Sequence, residues 1–304
     1  MLPFRPADLP RPGAALRAVP APVLFIGAAT STYVGAGLAV ALFAAMPSTT
    51  VAWWRLFIGA LVLLSWRRPW RRRWTRRALV TAALFGVAMS TMNVIFYASI
   101  GHLALGTAVS LEFLGPVVVA LATGRGWRPR VAALLALAGV AAISGFGLDL
   151  SDGSQRLGVV LALSAGAAWA AYILLGRRAA GTGGVDSLAV ASAAGALVYL
   201  PLAAPTASAA LADTRSILMV LGVGVMSTVI PYGLDQVNMG RLTSDAFALL
   251  SSLMPATSLL VGLVMLRQVP NAWEVLGLLL VSAAVALAGT GGRHRRTAVP
   301  GRRP

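Results

Sequence analysis

The 304-residue sequence contains no cysteine, no lysine and only two histidines, His102 and His294. The missing cysteines exclude disulfides, thiolate nucleophiles and Cys-ligated metals, and two histidines exclude a multi-His metal site. Charge is also scarce. Charged residues make up 11% of the chain, against about 25% in an ordinary soluble domain. With 58% hydrophobic residues and a mean hydropathy of +0.80, the chain holds more apolar surface than one soluble core can bury. A soluble globular protein and intrinsic disorder are both excluded, and a polytopic membrane protein is what remains.

What is abundant is arginine. All 25 basic residues are Arg, and against nine acidic residues they give a net charge of +16. They lie between apolar stretches, not in a separate basic domain. This is the pattern of loops held on the cytoplasmic side, and it does not point to nucleic acid.

Apolar runs long enough to span a bilayer recur along the chain. They predict ten helices: Pro22–Ala44, Thr50–Trp66, Ala78–Ile100, Ala104–Thr123, Val131–Gly147, Leu157–Gly176, Ser187–Ala204, Ser216–Leu234, Thr243–Leu266 and Trp273–Thr290. Helices are the expected form because each backbone polar group must bond within its own segment. The first run is too long for the apolar region of a signal peptide. The arginines test this count. They cluster before the first span, between the second and third (Arg67–Arg77), at Arg125–Arg130, at Arg177 and Arg178, at Arg241 and in the tail, all on one predicted side. The other side carries Arg156, Arg215 and Arg267, while Arg55 falls inside the second span. Both termini are therefore expected to be cytoplasmic, in a multi-pass inner or plasma membrane protein. Residues 1–21 and 291–304, rich in Arg and Pro, are expected to be disordered. The Arg67–Arg77 loop, interleaved with Trp66, Trp70 and Trp74, reads as an interfacial anchor or as a regulatory lipid site.

A weak internal repeat joins the halves. Gly101–Pro116 (GHLALGTAVSLEFLGP) aligns with Gly240–Pro255 (GRLTSDAFALLSSLMP) with five identities in 16 positions, and each segment follows a helix carrying Met-Ser-Thr. Five helices per repeat is an odd number, so the second copy enters the membrane from the opposite face. The fold class is thus an all-α polytopic membrane protein, with ten transmembrane helices as two inverted five-helix repeats, residues 22–147 and 157–290. Such inverted repeats typify secondary transporters whose substrate sits near the midplane.

Thr91–Leu121 (TMNVIFYASIGHLALGTAVSLEFLGPVVVAL), Ala162–Gly181 and Ser227–Leu234 (STVIPYGL) resemble the EamA-type drug/metabolite transporters, most closely the threonine/homoserine exporter branch. The resemblance covers about residues 24 to 290. It implies a secondary active exporter of a small amino acid or related metabolite that works by alternating access and needs no cofactor. Two positions depart from the branch. Met254 stands where a Glu usually precedes the ninth-helix proline, and Arg267 and Gln268 replace a Gly-Glu pair. Glu112 is thereby the one carboxylate deep in the predicted membrane core.

An ionisable residue within a span is a functional candidate by default. Glu112 lies about 12 Å, Arg55 about 8 Å and Asn93 about 10 Å from the predicted outer edge, at about 1.5 Å per residue. Facing one cavity, Glu112 and Arg55 would complement the ammonium and carboxylate of an amino acid, with Asn93 and Tyr97 bonding a hydroxyl or backbone group. The other reading is a structural Arg55–Glu112 ion pair that never meets cargo. Glu112 is also positioned to carry a proton, so proton coupling is open. Pro116, Pro231 and Pro255 interrupt predicted helices and serve either as breaks that expose carbonyls and permit bending or as tolerated prolines. Trp169, Tyr172 and Tyr232 line cargo or pack in the protein, and Ser251 stands near the Glu112 level of the repeat alignment. His102 is expected in a solvated external turn, and the Gly35-Ala36-Gly37 stretch to let backbones approach closely.

There is no GxxxxGK[ST] motif, and a lone Glu112 without a core histidine argues against an embedded enzyme. The expected partners are a small-molecule substrate and the lipid bilayer. Other cargoes (a purine, an aromatic amino acid, a cationic drug) and a non-transporting scaffold stay open.

Overall fold

The computed structural model describes residues 19–123, 126–143, 148–180, 185–231, 234 and 250–289. Tyr232, Asp235, Arg241, Asp245 and both terminal segments lie outside the described residues. Among the described residues there is no strand. Helix α1 spans Ala21–Leu42, α2 Ser48–Arg67, α3 Arg76–Ser99, α4 Leu105–Glu112, α5 Leu114–Thr123 and α6 Trp127–Ala141. Then follow α7 Gly153–Ala180, α8 Val185–Ala203, α9 Thr214–Gly224, α10 Met254–Leu266 and α11 Ala272–Gly289. Five described segments are long and apolar enough to cross a membrane: α1, α2, α3, α4 with α5, and α8; shorter apolar helices add to them.

Local chemistry sets the helix ends. Pro22 occupies the first turn of α1, where its missing N–H costs nothing. Thr75 caps α3 by accepting from the Ala78 N–H, and Asp213 caps α9 by accepting from Ser216. Arg68 and Arg267 end α2 and α10 in the left-handed region, at φ of 47° and 56°.

The fourth predicted span is broken. A turn at Phe113 separates α4 from α5, and Pro116 in the first turn of α5 has no N–H to return to the Glu112 carbonyl. The ninth predicted span turns in the same way at Ser252 and Leu253, just ahead of Pro255 in α10. After α9 the chain runs through a π-helical segment, Val225–Val229, that leads into Pro231. All three prolines singled out in the sequence therefore sit beside irregular helix. Pro231 and Pro255 are buried and Pro116 is half-buried.

Helices α1 and α7 are the two central packing partners. Helix α1 packs on α9, its π segment and α10; α7 packs on α3, α4 and α5. Helix α2 pairs with α8, α6 with α11 and α4 with α10. Glycines bring backbones together where these helices cross. A Cβ on Gly115 would strike the Gly166 carbonyl, one on Gly86 the Ala191 backbone, and one on Gly35 the Ser227 hydroxyl. Gly37 packs on Met265. The α2–α8 seam is bonded through Trp53, whose indole N–H donates to the Ala196 carbonyl at 2.8 Å. Exposed Leu and Val side chains cover the outer faces, as expected where lipid is the solvent.

Candidate functional site

The break between α4 and α5 puts Glu112 at the last position of α4, 7% exposed. Helix α7 presses against it: a Cβ on Gly166 would come within 2.7 Å of the Glu112 carbonyl oxygen. Among the described residues no hydrogen bond or ion pair reaches the Glu112 carboxylate. The carboxylate lies within electrostatic range of the Arg55 guanidinium and of the Tyr33 hydroxyl.

Arg55 is buried about two turns into α2 and reaches the π segment of the other half. Its Nη2 donates to the Ser227 carbonyl at 2.9 Å and its Nε to Thr228 Oγ1 at 3.3 Å. Ser227 lies four residues before Pro231, which has no N–H to offer that carbonyl, so the guanidinium takes an acceptor that a regular helix would not leave open. The Arg55 Cζ also lies 5.3 Å from the centre of the Tyr97 ring, in cation–π range. Nη1 makes no hydrogen bond among the described residues. The direct Arg55–Glu112 ion pair is thus absent within 4.0 Å: the arginine is held by backbone and hydroxyl, and the carboxylate stands apart from it.

Around Arg55 a polar seam runs between α1 and the π segment. Ser31 Oγ donates to the Met226 carbonyl at 2.7 Å and Ser227 Oγ to the Thr32 carbonyl at 3.2 Å, while the fully buried Tyr97 hydroxyl reaches Ser227 Oγ at 3.5 Å. Gly59 and Gly224 permit the approach of α2 to this segment, against Thr228 and Ile58 respectively. In a site out of water each satisfied polar group is held firmly, because leaving it bare costs about 1–3 kcal/mol.

The other sequence candidates divide. Tyr97 joins the Arg55 cluster. Asn93 is buried, but its Nδ2 turns back to the Met89 carbonyl at 2.7 Å within α3. Trp169 packs edge-on against Phe113, with ring centres 4.7 Å apart, beside the helix break. Tyr172 stacks on Phe85 at 4.9 Å in a separate small cluster. Ser251 is half-buried at the turn before α10, next to the buried Ser252. His102 is not simply solvated: it bonds Ser154 Oγ through Nδ1 at 2.8 Å.

Sequence reasoning missed Tyr33, Ser227 and Thr228 as site residues. The signal for the last two was present: they belong to the second Met-Ser-Thr motif, and Ser227 stands four residues before Pro231. A second polar group was missed entirely. At the Leu105 end of α4, Thr107 donates to Glu274 Oε1 at 2.7 Å, and the Leu105 N–H donates to Gln268 Oε1 at 3.0 Å. Thr107, Gln268 and Glu274, with Gly106, Leu259 and Gly262, line a small cavity. No metal-ligating cluster of His, Cys, Asp and Glu occurs among the described residues.

A helical membrane body with a broken span, a buried carboxylate without a bond among the described residues and an arginine anchored across the two halves can be set beside known proteins. The EamA-like transporter family matches residues 156–290. The threonine/homoserine exporter RhtA of Salmonella typhimurium (strain LT2) is 35% identical over 266 residues, covering 88% of this chain and 90% of the relative. The chain belongs to the EamA-like transporter family. The threonine/homoserine exporter RhtA of Escherichia coli (strain K12) is 36% identical over 262 residues, covering 86% of this chain and 88% of that one. A solved crystal structure superposes on 88% of this chain and 96% of its own, with a TM-score of 0.60 and 18% identity, and so shares its fold. Within the family the chain stands near the RhtA branch, as a multi-pass protein of the inner membrane.

Proposed function

We propose that this EamA-family protein is a secondary active exporter of a small amino acid of the threonine/homoserine type. Its cargo site is centred on Glu112 and Arg55. The observation that carries this reading is the Glu112 carboxylate, buried and without a bond among the described residues. A charge held out of water needs a partner. The nearest cation, Arg55, is already engaged with Ser227 and Thr228. An amino-acid ammonium is a partner of the right charge, and the unengaged Nη1 of Arg55 offers a donor to the cargo carboxylate. Tyr33, Tyr97 and Thr228 supply hydroxyls for the remainder of a hydroxylated side chain; Ser251 is assigned to the same lining. Trp169 and Tyr172 act through packing.

The helix pairing supports two inverted repeats of five spans. Helix α1 meets α9 and α10 as α7 meets α3 and the α4–α5 pair, which is the relation that exchange of the two halves requires. Rocking of the halves about the Glu112 level then alternates access, with Pro116, Pro231 and Pro255 as the breaks that bend. Between loaded cycles Glu112 accepts a proton in place of the ammonium, so cargo leaves as a proton enters. The identity of the curated relatives favours amino acids over purines or cationic drugs.

The test is uptake into inside-out vesicles against a panel of labelled threonine, homoserine, an aromatic amino acid, a purine and a cationic drug, with and without an imposed pH gradient. Saturable threonine or homoserine uptake that collapses with the gradient is the expected result. Uptake of another member alone reassigns the cargo and rejects the amino-acid reading.

A further inference from the structure

The segment joining α2 to α3 is folded, not slack. Arg68 closes α2, its N–H donating to the Leu64 carbonyl at 2.9 Å, and a 3₁₀ turn follows at Pro69–Arg71 with Pro69 buried. The Trp74 indole donates to the Pro69 carbonyl at 2.9 Å, and Arg72 lies over the Trp74 ring at 5.2 Å. The turn packs on α8, where Arg67 and Arg72 reach Asp186 at 3.0 and 3.7 Å. One carboxylate thus serves two of the seven arginines between residues 67 and 77. Arg71, Arg73, Arg76 and Arg77 are exposed and have no acidic partner among the described residues.

Topology alone requires positive charge here, and it would be met by a slack loop with any residues between the arginines. The segment has more than that. Trp66, in the last turn of α2, is 58% exposed, and Trp70, on the turn pinned to α8, is 65% exposed. An indole has an apolar body and one polar N–H, which suits the layer between headgroups and acyl chains and not open water. Guanidiniums bind phosphate through paired N–H groups, which suits the headgroup phosphate above that layer.

We propose that residues 66–77 form a binding site for an anionic phospholipid, with Arg71, Arg73, Arg76 and Arg77 taking the headgroup phosphate and Trp66 and Trp70 seating the glycerol region. The lipid is the source of the phosphate, because a soluble anion gives the two tryptophans nothing to bury. A lipid held there touches the first half of the chain at the turn that α8 of the second half supports. The site is independent of which cargo is carried.

The test uses the full chain in phosphatidylcholine nanodiscs with graded phosphatidylglycerol, counting retained lipids by native mass spectrometry. The parent is expected to retain phosphatidylglycerol over phosphatidylcholine by tenfold or more, and Arg71→Gln/Arg73→Gln/Arg76→Gln/Arg77→Gln to bring that preference near one. Soluble glycerol phosphate at millimolar concentration is expected not to displace the lipid. Equal retention by parent and variant overturns the site, and displacement by glycerol phosphate overturns the lipid as its ligand. Should the fourfold variant not fold, Trp66→Ala/Trp70→Ala keeps every arginine. A several-fold loss of preference supports the site, and an unchanged preference rejects it.

Discussion

Arg55 donates from Nη2 to the carbonyl of Ser227 across 2.9 Å, and the residue that would ordinarily claim that carbonyl is Pro231. Pro231 has no N–H for that carbonyl, so the acceptor is left to a guanidinium from the other half of the chain. Pro231→Ala returns an N–H that competes with Arg55 for the Ser227 carbonyl. One hydrogen bond contributes about 1 kcal/mol, so the expected result is a rise in KM of roughly fivefold with little change in melting temperature. Concentration-dependent uptake by the purified variant checks it. Arg55→Lys loses the fork that reaches Ser227 and Thr228 together, and is expected to lower transport further still.

Glu112 also governs pH dependence if it exchanges cargo for a proton. Glu112→Asp keeps the charge but withdraws it by one methylene. Transport is expected to weaken while remaining driven by a pH gradient, and Glu112→Gln is expected to lose gradient-driven uptake. Uptake measured at a series of imposed gradients separates the two variants. Gradient-driven uptake by Glu112→Gln equal to the parent excludes Glu112 as the proton carrier.

The crossing beside Glu112 is set by glycine backbones. A Cβ on Gly115 would meet the Gly166 carbonyl, a backbone atom that cannot swing aside. Gly115→Ala is therefore expected to destabilise by about 1–3 kcal/mol. Thermal melting in detergent reads it, with Gly153→Ala as the comparison, since a Cβ there meets nothing nearer than the Arg156 side chain at 3.8 Å.

At the start of α9 the Ser216 N–H and hydroxyl hold the Asp213 carboxyl below the usual carboxylate range. A carboxyl with a depressed folded pKa adds stability that is present above its unfolded value, near 4, and is lost as pH falls through the lower folded value. Asp213→Asn keeps a capping oxygen and removes the titration. Its melting temperature is expected to fall less than the parent's on acidification below about pH 4. Parallel melts at neutral and acid pH check this.

Much of the fold was legible because bilayer-length apolar runs and clustered arginines are one-dimensional signals. The first three predicted spans and the seventh, Ser187–Ala204, match described helices to within a few residues. The division of the fourth span at Phe113 was foreshadowed only by Pro116, since a hydropathy run has no mark for a turn inside it. Glu112 and Arg55 stood out because charge inside a span is costly. Their separation did not, because the acceptors that hold Arg55 are a backbone carbonyl and a threonine 172 and 173 residues away in sequence. Asn93 shared their level along the axis, yet depth along a helix says nothing of the face a side chain takes, and Asn93 bonds its own helix. Tyr33 carried no charge to set it apart in a span that is mostly apolar.

The most direct measurement is counterflow of labelled homoserine in proteoliposomes loaded with unlabelled homoserine, parent against Glu112→Gln. It needs no ion gradient, so it isolates cargo binding and translocation. Loss of one charge-assisted contact to the cargo ammonium, about 2 kcal/mol, predicts roughly a 30-fold drop in exchange by a variant that folds like the parent. Exchange by Glu112→Gln at the parent's rate would contradict the account, leaving Glu112 no part in holding the cargo.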